Sequence, residues 1–380
     1  MLTIELTTLG EPWREAPVPL ESSPASKAGS EGLLHGLVVV NTLERQPEGM
    51  NRSIEFAAPH LTNHRVHLHF IAGSSLYRLL RSLDRVLLGE QQYLYDFVLF
   101  NSLASLTHLN PFGYVLGRVF RALRIPIIIY WHETDWVFNE LERERPIDAA
   151  RVDRLARHSS TMHLTASDAC SDTITARYPS ARPVAVYECS HIPPPFDRAV
   201  LPSQPPVIVN AASIKERKGT DLFVKTAIGV CQQHPTVEFL WFGTGAPYGS
   251  YEADIEAAGF QERIMFPGYV DPAYPLLRRA SVLFLSSRDD PFPLAVLDAM
   301  CLGRTIVAFD VGGPREALGG FGILIEPFDT DAAAEAILVC LSKPADRLVN
   351  HALRQRYLNL YTPEQFAIRF NTVVRGCLKR

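Results

Sequence analysis

Short apolar runs rich in β-branched residues alternate with amphipathic stretches through most of the chain, beginning near Leu34. This alternation is typical of parallel α/β layers, in which each strand is followed by a helix that covers the sheet. Six runs come before a break in the pattern and six come after it. In chain order they are GLVVVNTL, RVHLHFIAG, DFVLFNS, PIIIYWHE, TMHLTAS and RPVAVYEC, then PPVIVNAAS, VEFLWFG, RIMFPGYV, SVLFLSS, TIVAFDV and FGILIEP. The sequence therefore predicts an α/β protein with two parallel sheets.

The break is a proline-rich segment, HIPPPFDRAVLPSQPP, with six prolines in sixteen residues. Such a segment cannot hold a regular hydrogen-bonded ladder, so it predicts a linker. The predicted divisions are a loosely ordered leader (1–32), a first Rossmann-like domain (33–191), the linker (192–206), a second Rossmann-like domain (207–361) and a C-terminal helix (362–380) that could pack back on the first domain. Ligands bind at the carboxyl ends of strands in such sheets, so chemistry is expected just after each strand, in a cleft between the domains.

Composition and charge exclude several classes of function. The 380 residues include 37 Lys and Arg against 41 Asp and Glu, a formal net charge of −4, so electrostatics does not favour a nucleic-acid partner. No uncharged apolar run approaches the length of a membrane-spanning helix, and the N-terminal segment does not read as a secretion signal. The six cysteines lie far apart, which argues against a disulfide scaffold and a zinc ribbon. A cytoplasmic location is therefore expected.

The most informative stretch is residues 281–318, SVLFLSSRDDPFPLAVLDAMCLGRTIVAFDVGGPREAL. It predicts a strand, an acidic loop, a helix, a glycine turn, a second strand and a Gly-Gly loop. Proline suits the first turn of a helix, so Phe292 and Pro293 predict that the helix starts there. The free N–H groups of Leu294 and Ala295 would then attract an anion such as a diphosphate. Two acids, Asp290 and Asp298, bracket this turn.

This stretch resembles the retaining, nucleotide-sugar-dependent glycosyltransferases of family four, which have the two-domain GT-B fold. That family carries Glu, seven residues and Glu, commonly followed by Ala-Met and Gly. The matching positions are Asp290, Asp298, Ala299, Met300 and Gly303. The resemblance extends to Gly312, Gly313 and Glu316, to Gly243, Thr244 and Gly245, and to Arg217, Lys218 and Gly219. It covers most of residues 207–340.

The resemblance implies roles for individual residues. Lys218 would pair with the donor diphosphate, Asp290 would take a hydroxyl of the donor sugar, and His132, just after a predicted strand, would sit beside that sugar as the third catalytic residue. The implied donor-binding residues are Arg217, Gly243, Val270, Phe292, Pro293, Leu294, Ala295, Asp298 and Glu316, with Asp298 on the ribose. Gly49, Asn51 and Arg52 are the acceptor-side candidates. Residues 266–270 resemble the base-binding turn of the family. Three alternatives stay open: His132 could be a structural histidine, Glu316 could be a simple loop cap, and residues 266–270 could be a buried strand end.

The implied reaction moves a sugar from a UDP- or GDP-type donor to a hydroxyl of a glycan or lipid-linked acceptor, with retention at the anomeric carbon. A lysine and a helix N-terminus can neutralise the leaving diphosphate, so no metal and no other cofactor is expected. Arginines recur along two predicted helical faces of the first domain, at Arg78, Arg81 and Arg85 and at Arg118, Arg121 and Arg124. They could contact the inner face of a membrane peripherally; the alternative is that they face water.

Two departures from the family pattern raise an alternative function. Both family glutamates are aspartates here, each one methylene shorter, and the arginine that normally precedes the lysine falls on Ala212 or Ser213. Lys215 or Arg217 could supply the missing cation. The alternative function is a non-catalytic GT-B protein that binds a nucleotide or a protein partner.

Other local motifs favour structural explanations. Asp329 and Asp331 could suggest a metal-binding Asp-x-Asp, but the helix-forming run that follows favours an N-cap. His67 and His69 could form half a metal site, although packing histidines are favoured because no third ligand is placed. The full glycine fingerprint of a dinucleotide site is absent around Gly243, which argues against an NAD-dependent oxidoreductase.

Overall fold

The computed structural model describes residues 32–40, 49–72, 95–107, 112–190, 204–245, 251–270, 274–343 and 346–378. Within it, Leu34–Arg380 forms one compact unit. Most of the predicted leader and linker, and the predicted arginine face at Arg78, Arg81 and Arg85, lie outside the described residues.

The first sheet contains β1 (Leu34–Val40), β2 (Val66–Ala72), β3 (Phe97–Asn101), β4 (Ile127–Trp131), β5 (Thr161–Thr165) and β6 (Val184–Ala185). All neighbouring strands are parallel, in the order β2-β1-β3-β4-β5-β6. The helices of this half are α1 (Gly49–Asn63), α2 (Gly113–Ala122), α3 (Asp135–Glu144), α4 (Pro146–Ala156) and α5 (Asp168–Arg177), with a 3-10 turn at Leu103–Leu106. We call residues 34–190 the N-lobe.

The second sheet contains β7 (Val207–Ala211), β8 (Glu238–Phe242), β9 (Ile264–Gly268), β10 (Val282–Leu285), β11 (Thr305–Phe309) and β12 (Ile323–Ile325). It is also parallel, in the order β12-β11-β10-β7-β8-β9. Its helices are α6 (Thr220–Gln233), α7 (Tyr251–Ala258), α8 (Tyr274–Leu277), α9 (Leu294–Cys301), α10 (Gly312–Leu318), α11 (Thr330–Ser342) and α12 (Arg347–Leu360), with a 3-10 turn at Glu216–Lys218. We call residues 204–361 the C-lobe. All twelve predicted strands are present.

The central strands are buried on both faces, as expected when helices cover both sides of a parallel sheet. All five residues of β3 and of β4 are buried, as are all four of β10. One hydrophobic cluster includes side chains from both sheets, among them Val40, Tyr130 and Leu285. The two lobes therefore share part of their apolar core.

A last helix, α13 (Pro363–Leu378), lies against α1 of the N-lobe. Its N-terminus is capped by Thr362, whose hydroxyl accepts a hydrogen bond from the Gln365 N–H at 3.2 Å. Phe366 and Phe370 are fully buried and contact the rings of Tyr130 and Phe97, respectively. The C-terminal helix thus packs on the N-lobe. Among the described helices, α13 included, none is both long and apolar enough to span a bilayer.

Candidate active site

The loops that follow the strands of the two sheets meet across a cleft. The loop after β4 contacts the loop after β10, where the Thr134 hydroxyl donates to Asp289 Oδ2 at 2.5 Å. The segment after β6 contacts α9, where the Ser190 hydroxyl donates to Asp298 Oδ1. The carboxyl ends of strands in both lobes therefore face one another across this cleft. The sequence predicted the functional residues at this place.

Lys218 and Asp290 form an ion pair in the C-lobe, with 2.6 Å between Lys218 Nζ and Asp290 Oδ2. The Ser287 hydroxyl donates to the same carboxylate oxygen at 3.2 Å. Gly219 has a left-handed φ of +68°, and a Cβ there would overlap the Ser286 carbonyl oxygen. Glycine therefore lets the lysine turn pack directly on the loop after β10. Burial lowers the pKa of Lys218, and the Asp290 charge opposes that effect.

Arg217 also faces the loop after β10. Its Nη1 donates to the Asp289 carbonyl oxygen at 3.1 Å and lies 3.6 Å from Asp289 Oδ2. Burial raises the pKa of Asp289, while the Thr134 hydrogen bond and the Arg217 charge counteract the rise. The sequence reasoning missed Asp289, although its place beside Asp290, directly after a strand, was a usable signal.

Helix α9 begins at Leu294, one residue later than predicted, with Pro293 as its N-cap. Its first hydrogen bond runs from the Val296 N–H to the Pro293 carbonyl at 3.0 Å. The N–H groups of Leu294 and Ala295 precede that bond and so lie at the positive end of the helix. Because prolines have no N–H, Pro293 itself can donate nothing to an anion.

Phe292 is buried, with 2% of its surface exposed. Its ring stacks on Tyr187 with 5.5 Å between centroids and meets Tyr361 edge-on at 5.4 Å. The side chain therefore packs between the lobes, and only its backbone remains as the predicted donor contact.

Asp298 lies in the middle of α9 and is largely buried. Burial raises the pKa of this carboxyl to about 6, and the Ser190 hydrogen bond and the nearby Arg52 charge oppose the rise. Both of these groups come from the N-lobe. The carboxylate expected to hold a ribose therefore already accepts a hydroxyl from across the cleft.

The acceptor-side candidates lie at the start of α1, which begins at Gly49. Arg52 Nη2 donates to the Tyr269 hydroxyl of the C-lobe at 2.9 Å. Asn51 is fully buried, and its Oδ1 accepts from Asn101 Nδ2 at 2.9 Å. Arg52 thus reaches across the cleft, whereas Asn51 points into the N-lobe.

His132 follows β4 directly, and 2% of its side chain is exposed. Its Nε2 lies 3.1 Å from Asn101 Oδ1, and its Nδ1 lies 2.8 Å from Glu188 Oε1. The next residue, Glu133, accepts the His132 backbone N–H at 2.8 Å and is buried, which raises the pKa of that carboxyl. The imidazole therefore lies between an amide and a carboxylate. The sequence reasoning missed Asn101 and Glu188, which come at or just after the ends of β3 and β6.

Gly243 and Val270 lie near the carboxyl ends of β8 and β9. Gly243 has a φ of +150°, and a Cβ there would overlap the carbonyl oxygen of Ala212, the residue after β7, so the close approach of the ends of β7 and β8 requires glycine. Its N–H donates to the Gly268 carbonyl at 2.9 Å. Val270 is half-buried and packs against the core, so contact with a base stays a prediction.

Glu316 lies in helix α10, where the sequence predicted a Gly-Gly loop. Its two carboxylate oxygens accept the Asp168 N–H at 2.8 and 3.0 Å, and Oε2 also accepts the Ala169 N–H at 3.2 Å. Those N–H groups belong to the first turn of α5 in the N-lobe. Glu316 therefore caps a helix across the cleft, and donor binding by this residue stays a prediction.

Two sequence motifs could suggest a metal site, Asp329 with Asp331 and His67 with His69. Asp329 accepts hydrogen bonds from the Asp331 and Ala332 N–H groups, which confirms the predicted N-cap of α11. Within the part of the chain that the structure describes, no group of three or more His, Cys, Asp or Glu side chains is placed to hold a metal ion.

Part of the chain is similar to known proteins. Residues 205–343 match the family model for glycosyl transferases group 1, a segment that contains Lys218, Asp290, Asp298 and Glu316. The chain is 31% identical over 144 residues to the lipopolysaccharide core biosynthesis mannosyltransferase LpcC of Rhizobium leguminosarum bv. viciae, covering 35% of this chain and 40% of the relative. It is 26% identical over 215 residues to an alpha-D-kanosaminyltransferase of Streptomyces kanamyceticus, covering 56% and 50%. The chain thus spans half or less of the length of these curated relatives.

Solved structures define the fold. A sucrose-phosphate synthase from Thermosynechococcus elongatus superposes with a TM-score of 0.68 at 17% identity, over 90% of this chain and 98% of that one. HepE of Anabaena, solved in complex with UDP-glucose, superposes with a TM-score of 0.68 at 15% identity, over 90% and 100%. Together with the two six-stranded parallel sheets, these likenesses confirm the predicted GT-B fold.

Proposed function

We propose that this chain is a glycosyltransferase that moves a sugar from a UDP- or GDP-type donor to an acceptor hydroxyl, in glycan, polysaccharide or glycolipid biosynthesis. The observation that carries the proposal is the Lys218–Asp290 pair, 2.6 Å apart beside the N-terminal turn of α9 and opposite the N-lobe. The match of residues 205–343 to glycosyl transferases group 1 supports it. HepE, a structural neighbour, was solved with UDP-glucose.

Lys218 can bind Asp290 and the diphosphate of a sugar donor at the same time. An ammonium group has three N–H donors, so Lys218 can keep one on Asp290 and direct another to a diphosphate oxygen. The leaving diphosphate gains charge as the glycosidic bond breaks, and a buried cation stabilises that charge more strongly than a solvated one. Asp290 has a second oxygen with which to accept a sugar hydroxyl.

We propose that the transfer proceeds with retention, as in the family-four enzymes that the motifs resemble. In this course the leaving phosphate oxygen takes the acceptor proton while the sugar passes through an oxocarbenium-like state, so no side chain has to be a strong base. His132 positions the sugar, and Asp298 accepts ribose hydroxyls in place of Ser190. Lys218 and the N-terminus of α9 supply the positive field, so the proposal includes no metal ion and no other cofactor.

The test measures binding and turnover separately. Calorimetry with UDP and with GDP reports nucleotide binding, and release of the free nucleoside diphosphate from a panel of nucleotide sugars reports transfer. We expect Lys218→Ala to lower turnover about 100-fold or more, by analogy with the loss of one charge-stabilising donor. Lys225→Ala, on the exposed side of α6, is the matched control and should retain wild-type turnover. Wild-type protein that binds neither nucleotide and turns over no donor would contradict the proposal.

The second candidate function is a non-catalytic nucleotide-binding protein. The observation that favours it is that both acids of the motif are aspartates, each one methylene shorter than glutamate, since a misplacement of about 1 Å can cost about 100-fold in rate. Binding of UDP or GDP with no release from any donor would support this candidate. Turnover that depends on Lys218 would eliminate it.

We also propose that the N-lobe contacts an anionic membrane surface through the groove between α2 and α4. Arg118, Arg151 and Arg154 line this groove with Tyr114 and Ile147. Ile147 is 70% exposed, so an apolar side chain stands beside three cations, a combination suited to the headgroup region of anionic lipids.

Sedimentation with vesicles tests this contact. We expect binding to phosphatidylglycerol vesicles at low salt, loss in about 0.5 M salt, and weaker binding after Arg118→Ala with Arg154→Ala. Arg143→Ala, an exposed arginine on α3, is the matched control. Equal binding to neutral and anionic vesicles, or none to either, would contradict the proposal.

A further inference from the structure

We propose that Glu316 is an interlobe latch: from α10 in the C-lobe, its carboxylate holds the N-terminus of α5 in the N-lobe and so sets the closed arrangement of the two lobes. This role differs from the donor contact that sequence resemblance implied. The residue does not touch the reacting groups, so it is a positioning residue.

The contact is specific at the level of individual atoms. Of the N–H groups in the first turn of α5, that of Cys170 is accepted by the Ser167 hydroxyl within the N-lobe at 3.1 Å. Those of Asp168 and Ala169 are accepted by Glu316, at 2.8 to 3.2 Å. The first helical bond, from Ser171 to the Ser167 carbonyl, comes after them. The C-lobe therefore completes the cap of an N-lobe helix.

Charge makes this cap stronger than a neutral one. The unsatisfied N–H groups of a helix start carry the positive end of its dipole, and a carboxylate there makes charge-assisted hydrogen bonds. Both Glu316 oxygens are engaged, which fixes the orientation of the side chain as well as its distance. Separating the lobes would expose both partners and leave α5 without this cap.

The latch connects directly to the candidate active site. Glu316 lies on α10 three residues after Gly313, whose N–H donates to the Asp290 carbonyl at 3.1 Å. A Cβ on Gly313 would overlap the carbonyl oxygens of Asp290 and Pro291, so α10 and the Asp290 loop are in direct backbone contact. Arg356 holds the other end of α10 by donating to the Glu316 and Ala317 carbonyls at 2.9 and 2.8 Å. The position of α5 is thereby tied to that of Asp290.

Other contacts across the cleft involve the site itself. Thr134 bonds to Asp289, Ser190 bonds to Asp298, and Arg52 bonds to Tyr269. Asp298 is a predicted donor-binding residue and Arg52 an acceptor-side candidate, so variants of these pairs would also change the site, whereas Glu316 contacts only backbone N–H groups of α5. Glu316 therefore offers a variant that changes lobe closure while leaving Lys218, Asp290 and Asp298 in place.

The experiment measures closure without any ligand, by small-angle X-ray scattering of the full chain. We expect Glu316→Ala to increase the radius of gyration and the maximum dimension, whereas Glu335→Ala, an exposed glutamate on α11, leaves both unchanged. Glu316→Gln, which keeps one acceptor oxygen and loses the charge, should fall between Glu316→Ala and wild type. A Glu316→Ala protein with wild-type dimensions would overturn the proposal.

A second pair of variants removes the partner instead of the carboxylate. Asp168 is the first residue of α5 and follows extended Ser167, so proline fits its position while removing its N–H. Asp168→Ala keeps the N–H and, like the proline variant, loses the acceptor of the Tyr187 hydroxyl. We expect Asp168→Pro to expand the protein more than Asp168→Ala, and Glu316→Ala to add little to Asp168→Pro. Equal dimensions for the two Asp168 variants would count against the latch.

The consequence for turnover rests on the proposed function, and its measurement separates the two ideas. We expect Glu316→Ala to bind UDP within about twofold of wild type and to lose about tenfold or more in kcat. Lost UDP affinity with unchanged dimensions would instead make Glu316 a donor ligand and overturn the latch. If no variant and no wild-type protein turns over a donor, the proposed function fails while the scattering result still decides the latch.

Discussion

At the scale of single residues, Asp298 has the most informative ionisation. Burial raises its pKa from 3.8 to about 6, so the folded protein binds more protons at this carboxyl than the unfolded chain between those pH values. The free energy of unfolding therefore falls as the pH rises through this window, by about 3 kcal/mol in all. Asp298→Asn removes the titrating group, so the variant should not lose this stability as the pH rises. The free energy of unfolding of the variant, relative to that of wild type, should therefore increase by about 3 kcal/mol between pH 4 and pH 7. Chemical denaturation at several pH values measures the difference.

Ser190→Ala provides the control for that measurement. The Ser190 hydroxyl donates to Asp298 and lowers its pKa, so removing the hydroxyl should move the upper end of the pH window above 6. If the free energies of unfolding of wild type and Asp298→Asn change in parallel with pH over the whole range, the pKa of Asp298 is not raised by burial and the prediction is wrong.

The residue scale also shows where sequence reasoning stops. The position of His132 just after a strand predicted a place at the cleft, because the carboxyl ends of parallel strands share one edge. Its partners, Asn101 and Glu188, were not predicted, since they come from β3 and from the segment after β6. Sequence patterns give periodicity and local capping, but they contain no distance between residues that are far apart in the chain.

At the scale of elements, Gly313 and Gly229 make a matched pair of helical glycines. A Cβ on Gly313 in α10 would overlap backbone oxygens of the Asp290 loop, whereas one on Gly229 in α6 would meet only the Ala334 methyl at 3.6 Å. We expect Gly313→Ala to destabilise the protein by about 1–3 kcal/mol, and to lower donor turnover because it displaces Asp290. Gly229→Ala should be neutral or stabilise by up to about 1 kcal/mol. Thermal denaturation and turnover of both variants provide the test, and equal effects would contradict it.

The elements themselves were the most predictable level. All twelve strands follow from short apolar runs, and the caps at Thr362 and Asp329 follow from side-chain chemistry. The sequence pattern predicted the start of α9 one residue early, because Pro293 has extended backbone (ψ 112°) and is the N-cap instead of the first helical residue. It also assigned residues 312–316 to a loop, because two glycines and a proline disfavour a helix locally, whereas the structure has a helix over Gly312–Leu318. Packing of α10 against the Asp290 loop and α5 outweighs that preference.

At the scale of the whole molecule, α13 connects the lobes through a shared core. Phe370 is fully buried in the cluster that contains Val40 of the N-lobe and Leu285 of the C-lobe, and its ring lies 6.3 Å from that of Phe97. A core that includes both sheets should make the lobes unfold together. We therefore expect one calorimetric transition for the wild-type protein.

Removing the Phe370 ring should make the two lobes unfold in separate transitions. Phe370→Ala should lower the free energy of unfolding by about 3–5 kcal/mol, because it removes a buried aromatic ring and leaves a cavity. The thermogram should then show two peaks. The N-lobe should melt first, because α13 packs on it. Ile368→Ala is the control on the same helix, since that side chain is 39% exposed and its loss should change the melting temperature by about 2 °C or less. If both variants melt in one transition at similar temperatures, α13 does not couple the lobes, and the contacts across the cleft, including that of Glu316, are left to hold the two sheets together.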